Sequence, residues 1–83
     1  MTFNPAGGAF RTETLTVTAT LNESAVSGWY KVGSGSQVNL TTGSSKQFEI
    51  GSDMTYGQEV TVQWSATNSD GDTYTGSATY KKV

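Results

Sequence analysis

The sequence predicts an all-β domain, and two observations support that prediction. Thr, Ser and Gly dominate the 83 residues, and only 14% of the residues are charged. Thr favours strands, whereas Ser and Gly favour the turns that join them. Apolar and polar residues also alternate through several short segments, and no segment keeps a helical period. The chain is therefore expected to fold as several strands joined by tight turns.

The first clear strand is predicted over residues 12–21, TETLTVTATL. Its apolar residues occupy every second position and share one face, while threonines occupy the other face. These apolar residues are Leu15, Val17, Ala19 and Leu21. The segment NESAVSG ends this strand, and a second strand is predicted at 29–32, WYKV.

Two short strands and two longer ones complete the prediction. The turn GSGS leads into 37–42, QVNLTT, and GSSK leads into 47–50, QFEI. A longer crossover, 51–58, precedes the strand 59–68, EVTVQWSATN. The Asp-Gly pair within SDGD is a hairpin signal, and the last strand is predicted over 73–82, TYTGSATYKK.

The opening segment, residues 1–9, contains the only proline and a Gly pair. It is interpreted as a linker or a short edge segment that leads into a single domain over residues 10–83. Six to seven antiparallel strands at even spacing fit an immunoglobulin- or fibronectin III-like β-sandwich best, with a small open barrel as the alternative. The chain has no Cys, so no disulfide joins the sheets.

Composition also limits the chemistry that the chain can perform. It has neither His nor Cys, which removes the usual general base, the commonest metal ligand and thiolate nucleophiles. We expect a non-catalytic domain with no cofactor and no metal site. The five basic residues are scattered and the net charge is −2, so a nucleic-acid partner is not expected. No apolar run approaches membrane-spanning length, and a monomer is the default expectation.

The acidic residues are the remaining candidates for metal binding or catalysis. The segment 68–72, NSDGD, superficially suggests a calcium loop, but the alternating oxygen ligands and distant Glu of an EF-hand are missing, so a hairpin turn is favoured. The other carboxylates are dispersed over strands and turns; the sequence leaves a glycosidase-type pair open, but no pocket is evident in so small a sandwich.

Trp29 and Tyr30 are adjacent in a predicted strand, so they must point to opposite faces of the sheet. Tyr30 is in phase with Val32, and Trp29 is in phase with Lys31. We therefore expect Tyr30 in the core and Trp29 on the outer face, unless a bulge or a neighbouring loop reverses or covers Trp29. An outward Trp in a small domain suggests binding.

The remaining aromatic residues are expected to be mainly structural. Trp64 is in phase with the valines of its own strand and is assigned to the core. Tyr74 and Tyr80 are expected in the core or at a sheet edge. Tyr56 lies in the crossover loop and is either a packing residue at a sandwich corner, which we favour, or a contact for a ligand.

Aromatic rings bind sugars because the C–H-rich face of a pyranose stacks on the ring while polar groups nearby bond the hydroxyls. Trp29, Lys31 and Gln63, if the strand of Gln63 is adjacent, suit that pattern. Together with Tyr56 they are the candidate carbohydrate-binding residues. A single Trp is a weak signal for such a site.

The ordered segments GGAF, TLTVTATL, SGWYKVGSG, FEIGSDMTYGQEVTVQWSATNSDG and ATYKK cover nearly the whole chain. In this order they resemble the Ig-like accessory modules of secreted bacterial α-amylases and related glycoside hydrolases. These modules are similar to the C-terminal modules of chitobiase-type enzymes and are often found beside starch-binding modules.

The resemblance implies a non-catalytic module of a secreted or cell-surface bacterial protein. It would bind starch or another polysaccharide weakly, or position neighbouring domains of a polysaccharide-degrading enzyme. No binding residue of that family is assigned to this chain by the resemblance. The alternative hypothesis is a structural or adhesive Ig-like repeat of a bacterial cell-surface or phage protein.

Overall fold

The computed structural model describes residues 1–83, which form eight β-strands and no helix. The strands are β1 (Thr2–Asn4), β2 (Gly8–Phe10), β3 (Leu15–Thr20), β4 (Ala25–Val32), β5 (Val38–Leu40), β6 (Ser45–Ile50), β7 (Glu59–Asn68) and β8 (Thr73–Lys82). There is accordingly no helix that is long and apolar enough to cross a membrane.

The strands form two sheets. The three-stranded sheet has the order β1-β3-β6, and the five-stranded sheet has the order β2-β8-β7-β4-β5. All neighbouring strands are antiparallel except β2 and β8, which are parallel. The predicted all-β class is confirmed, and so are the two sheets. The strand count exceeds the predicted six to seven because the opening segment contributes two short strands.

The opening segment is an edge segment of both sheets. Phe3 of β1 lies opposite Ala19 of β3 in the small sheet. The chain then crosses to the large sheet, where β2 runs beside the end of β8. Phe3 and Phe10 are both buried in the core. Of the two interpretations of residues 1–9, the structure therefore contains the edge segment rather than a linker.

The core lies between the sheets and is centred on three aromatic rings. Tyr30 of β4 stacks on Phe48 of β6 with 5.0 Å between ring centroids. Phe3 meets both of these rings edge-on, at 6.3 and 6.5 Å. Because Tyr30 belongs to the large sheet and the two phenylalanines to the small one, these contacts hold the sheets face to face without a disulfide.

The alternation in β3 and β7 has the predicted phase. Val17 and Ala19 are fully buried, as is Val62 of β7. β4 begins earlier than predicted, at Ala25, and its pairing with β7 shifts register between Ala25 and Ser27. This irregularity lies before Trp29, so the alternation of the following residues is regular.

The turn between β7 and β8 is the predicted hairpin. The Asn68 N–H donates to the Asp72 carbonyl, and the Gly71 N–H donates to the Asn68 carbonyl. Gly71 has φ = 91°, a left-handed value that glycine adopts without a Cβ penalty. No group of three or more acidic side chains in the protein is arranged to hold a metal ion. The hairpin interpretation of NSDGD is therefore the one that the structure supports.

Candidate functional site

The outer face of the five-stranded sheet carries Trp29. Tyr30 points into the core and is only 2% exposed, so Trp29 points to the opposite face by the alternation of a strand. Trp29 is half-buried there and is absent from the residues that pack against the core. The predicted orientations of Trp29 and Tyr30 are confirmed.

Strand register determines the neighbours of Trp29. Trp29 lies opposite Asn39 of β5 on one side and Ser65 of β7 on the other. Ser65 in turn lies opposite Thr75 of β8. Residues directly opposite each other share a face of the sheet. Trp29 is thus the only aromatic residue in a row of small polar side chains.

A second row runs beside the first. Lys31 of β4 lies opposite Gln63 of β7, and Gln63 lies opposite Ser77 of β8. The structure therefore brings together three of the four predicted site residues, Trp29, Lys31 and Gln63. The strands that carry Lys31 and Gln63 are adjacent, as the prediction requires.

Ser65 lies next to Trp29 on the outer face of the sheet. Ser65 is on the solvent-facing side of the sheet, yet it is only 9% exposed. Its neighbours across the strands are Trp29 and Thr75, and Trp29 is the larger of the two. The half-buried Trp29 side chain lies beside Ser65 and lines the same depression as Thr75, so part of its surface is in contact with solvent.

A shallow depression of about 340 Å³ lies beside this indole. Its lining residues are Trp29, Gln63, Trp64, Thr75, Gly76 and Ser77. Trp64 and Gly76 direct their side-chain positions towards the core, so they present backbone to this face. The depression thus has a flat floor, with an aromatic ring, an amide and two hydroxyl groups around it.

The two rows contain amide and hydroxyl groups, one aromatic ring and one charged side chain, that of Lys31. They contain no carboxylate and no pairing of a nucleophile with a base. Such a surface can stack on an apolar ligand face and can donate and accept hydrogen bonds.

Tyr56, the fourth predicted site residue, lies elsewhere. The sequence favours a packing role for Tyr56 at a sandwich corner, but its side chain is 71% exposed, so it is not buried there. The ring instead lies over the Lys82 ammonium, at 5.4 Å from Nζ. Lys82 is seven residues along β8 from Thr75, which corresponds to about 23 Å at the rise of a strand. Tyr56 therefore does not contribute to the Trp29 face.

Trp64 occupies the inner face, as predicted, but it is half-buried rather than fully enclosed. Tyr80 is fully buried, and Tyr74 is 53% exposed although it has the inward phase.

A second cleft, of about 460 Å³, opens at the end of the sandwich between the β4–β5 turn and the loop after β6. Three carboxylates line it, from Glu49, Asp53 and Glu59, above apolar side chains that include Met54 and Val60. These carboxylates do not form a metal-binding group.

No family model, curated protein or solved structure matches the chain.

Proposed function

We propose that the protein is a non-catalytic accessory module that binds a carbohydrate polymer weakly through the Trp29 face. The observation that carries this proposal is the half-buried Trp29 indole, which lines a depression together with Gln63, Thr75 and Ser77. A pyranose ring stacked on the indole would have its hydroxyl groups within reach of the amide and the two hydroxyls.

The expected affinity is low. There is one aromatic platform, and the depression is shallow, so a sugar bound there stays largely in contact with water. Each hydrogen bond that replaces a bond to water contributes only about 1 kcal/mol. Dissociation constants near the millimolar range correspond to about 4 kcal/mol of binding free energy, which one stacked ring and a few hydrogen bonds can supply.

The proposed context is a secreted bacterial enzyme that degrades polysaccharides, with an α-glucan such as starch as the first ligand to test. The sequence resemblance suggests this context. The strand order agrees with the immunoglobulin-like part of this resemblance, because β7 lies between β8 and β4, as the sixth strand of the immunoglobulin fold lies between its seventh and third strands.

A spacer role is the second candidate, and the positions of the chain ends favour it. The start of the chain lies at one end of β3, where Thr2 pairs with Thr20. The end of the chain lies near the other end of β3, because Lys82 binds Gly51, and Leu15 pairs with the residue before Gly51. Thr20 and Leu15 are five residues apart along β3, which corresponds to about 17 Å. Domains attached to the two ends would be held apart, as expected for a spacer or for a repeat of a surface protein.

The experiment that tests binding is an NMR titration of backbone amides and indole N–H groups with a malto-oligosaccharide. The wild type is compared with Trp29→Ala, and Tyr56→Ala is the control because Tyr56 is an exposed aromatic residue far from the depression. We expect saturable shifts at the Trp29 indole and at the amides of Gln63, Thr75 and Ser77. These shifts should disappear in Trp29→Ala and persist in Tyr56→Ala.

Absence of shifts at millimolar sugar would reject α-glucan as the ligand of the isolated domain. Shifts that persist in Trp29→Ala would reject the Trp29 face as the site. Absence of shifts with other neutral and acidic oligosaccharides as well would leave the spacer role as the better account.

A further inference from the structure

The five-stranded sheet leaves one long strand edge open. β2 pairs with β8 only from Tyr80 to Lys82. From Thr73 to Thr79, β8 therefore has β7 on one side and no strand on the other. This open part has the sequence TYTGSAT, which contains no charged residue and no proline.

Proteins usually protect sheet edges with short strands, charges, prolines or bulges, because an open edge can pair with another chain. The other edge strands of this protein follow that rule. β1 and β5 have three residues each, and β6 carries Lys46 and Glu49. The open part of β8 is the exception.

Hydrogen bonds at the end of β8 indicate which backbone groups face this edge. The Lys82 N–H donates to the Gln58 carbonyl on the β7 side, and the Val83 N–H donates to the Phe10 carbonyl of β2. Backbone groups alternate between the two sides of a strand. Odd-numbered residues of β8 therefore direct their N–H and C=O groups away from β7. In the open part these residues are Thr73, Thr75, Ser77 and Thr79.

We propose that this edge pairs with the same edge of a second copy of the chain, as an antiparallel β8–β8 contact about a two-fold axis. A register centred on Thr75 places Thr73 opposite Ser77 of the second copy. Thr73, Thr75 and Ser77 would each donate and accept one backbone hydrogen bond across the axis. The Thr79 carbonyl is excluded, because the crossing segment at Gly7 already lies against it.

The second copy is the occupant that fits this edge best. Among the strands that the fold exposes, only β8 itself offers an uncharged partner of equal length. In the proposed register Tyr74, which is 53% exposed, lies opposite Gly76 of the second copy, where no side chain competes for the space. No like charges are brought together.

The pairing would be weak, and the chain would be a monomer at low concentration. It would also join the outer faces of two large sheets into one surface. The two Trp29 residues would be separated by five interstrand spacings, or about 24 Å. This consequence rests on the proposed carbohydrate site, but the pairing itself does not.

The test is analytical ultracentrifugation without sugar, from micromolar to millimolar protein. Thr75→Pro removes an N–H that faces the open edge and no bond to β7, so it should remain folded. Thr75→Val keeps the N–H and is the matched control. For the wild type and Thr75→Val, the average mass should rise towards twice the 8.8 kDa of the chain. Thr75→Pro should stay at the monomer mass.

Amide hydrogen exchange of the wild type provides a second test that does not depend on a variant. Protection of the Thr73, Thr75 and Ser77 amides should increase with protein concentration. A wild type that stays monomeric at millimolar concentration, a folded Thr75→Pro that associates like the wild type, or edge amides whose exchange ignores concentration would each overturn the proposal. Protection that appears only with a different protein would identify that protein as the occupant instead.

Discussion

Gly76 of β8 lies directly opposite Trp64 of β7, and the Trp64 indole covers the inner side of the glycine. A Cβ placed on Gly76 would lie 2.6 Å from the indole Cζ2 and 2.8 Å from Nε1. These distances are far below van der Waals contact. The φ of Gly76 is not in the left-handed region, so close packing, rather than backbone conformation, requires a glycine here.

The first prediction follows from this contact. Gly76→Ala should lower the free energy of unfolding by about 1–3 kcal/mol, because the indole must move out of a packed position. Removing the ring should remove the clash, so Gly76→Ala should be nearly neutral in a Trp64→Ala background. Urea denaturation of the two single variants and the double variant measures this coupling. Equal costs in both backgrounds would show that the indole does not determine the need for glycine.

The second prediction concerns Phe3, in the segment that the sequence left open as a linker or an edge. Phe3 is buried and meets the rings of Tyr30 and Phe48 edge-on. Phe3→Ala should therefore lower the free energy of unfolding by about 3–4 kcal/mol. Thr2→Ala, at an exposed position of the same strand, should change it by less than about 0.5 kcal/mol. Thermal unfolding of the two variants would distinguish them, and equal melting temperatures would contradict the core position of Phe3.

The strands were predictable because their signals are local. Alternation in β3 and β7 identifies the buried face without any knowledge of neighbouring strands. The same argument oriented Trp29 and Tyr30 correctly. The opening segment was less clear, because strands of three residues are too short to display a period, and Phe3 is a single apolar residue beside Asn4 and Pro5.

The candidate site was predictable only in part, because it depends on strand order. Trp29 and Lys31 are close in sequence, but Gln63 joins them only because β7 lies beside β4. Thr75 and Ser77 were not predicted, since their place depends on the register of β8 against β7. Tyr56 was included for its residue type alone, and nothing in the local sequence indicates which end of the sandwich its loop occupies.

The third prediction concerns Lys82, which is only 2% exposed. Its ammonium donates to the Gly51 carbonyl at 2.7 Å and to the Met54 carbonyl at 3.2 Å, and Glu13 lies 3.4 Å away. Lys82→Met keeps much of the apolar stem but removes both charged hydrogen bonds. It should lower the free energy of unfolding by about 2–4 kcal/mol.

Glu13 provides the matched comparison for Lys82. Its side chain is 72% exposed, so its ion pair with Lys82 is screened by water. Glu13→Gln should lower the free energy of unfolding by no more than about 1 kcal/mol. Urea denaturation of both variants tests whether Lys82→Met is the more destabilising of the two. If Glu13→Gln were as damaging as Lys82→Met, the ion pair rather than the two carbonyl contacts would hold the loop after β6.

The last prediction concerns alkaline pH. Burial raises the pKa of Tyr30 and of Tyr80 above the ordinary value of 10.0, because a phenolate between the sheets would lose hydration. The unfolded chain therefore releases these protons at lower pH than the folded chain. The free energy of unfolding should not change through these groups below pH 10.0, and it should fall as the pH rises from there through the raised pKa values.

Urea denaturation at a series of alkaline pH values measures this decline. Tyr30→Phe should make the decline shallower, because one of the two buried phenols is removed. Tyr80→Phe should do the same but should also cost about 1 kcal/mol below pH 10.0, since the Tyr80 hydroxyl donates to the Pro5 carbonyl. Tyr74→Phe, at a side chain that is 53% exposed, is the control for loss of a hydroxyl. A decline of unchanged slope in both Tyr30→Phe and Tyr80→Phe would show that other groups cause alkaline unfolding.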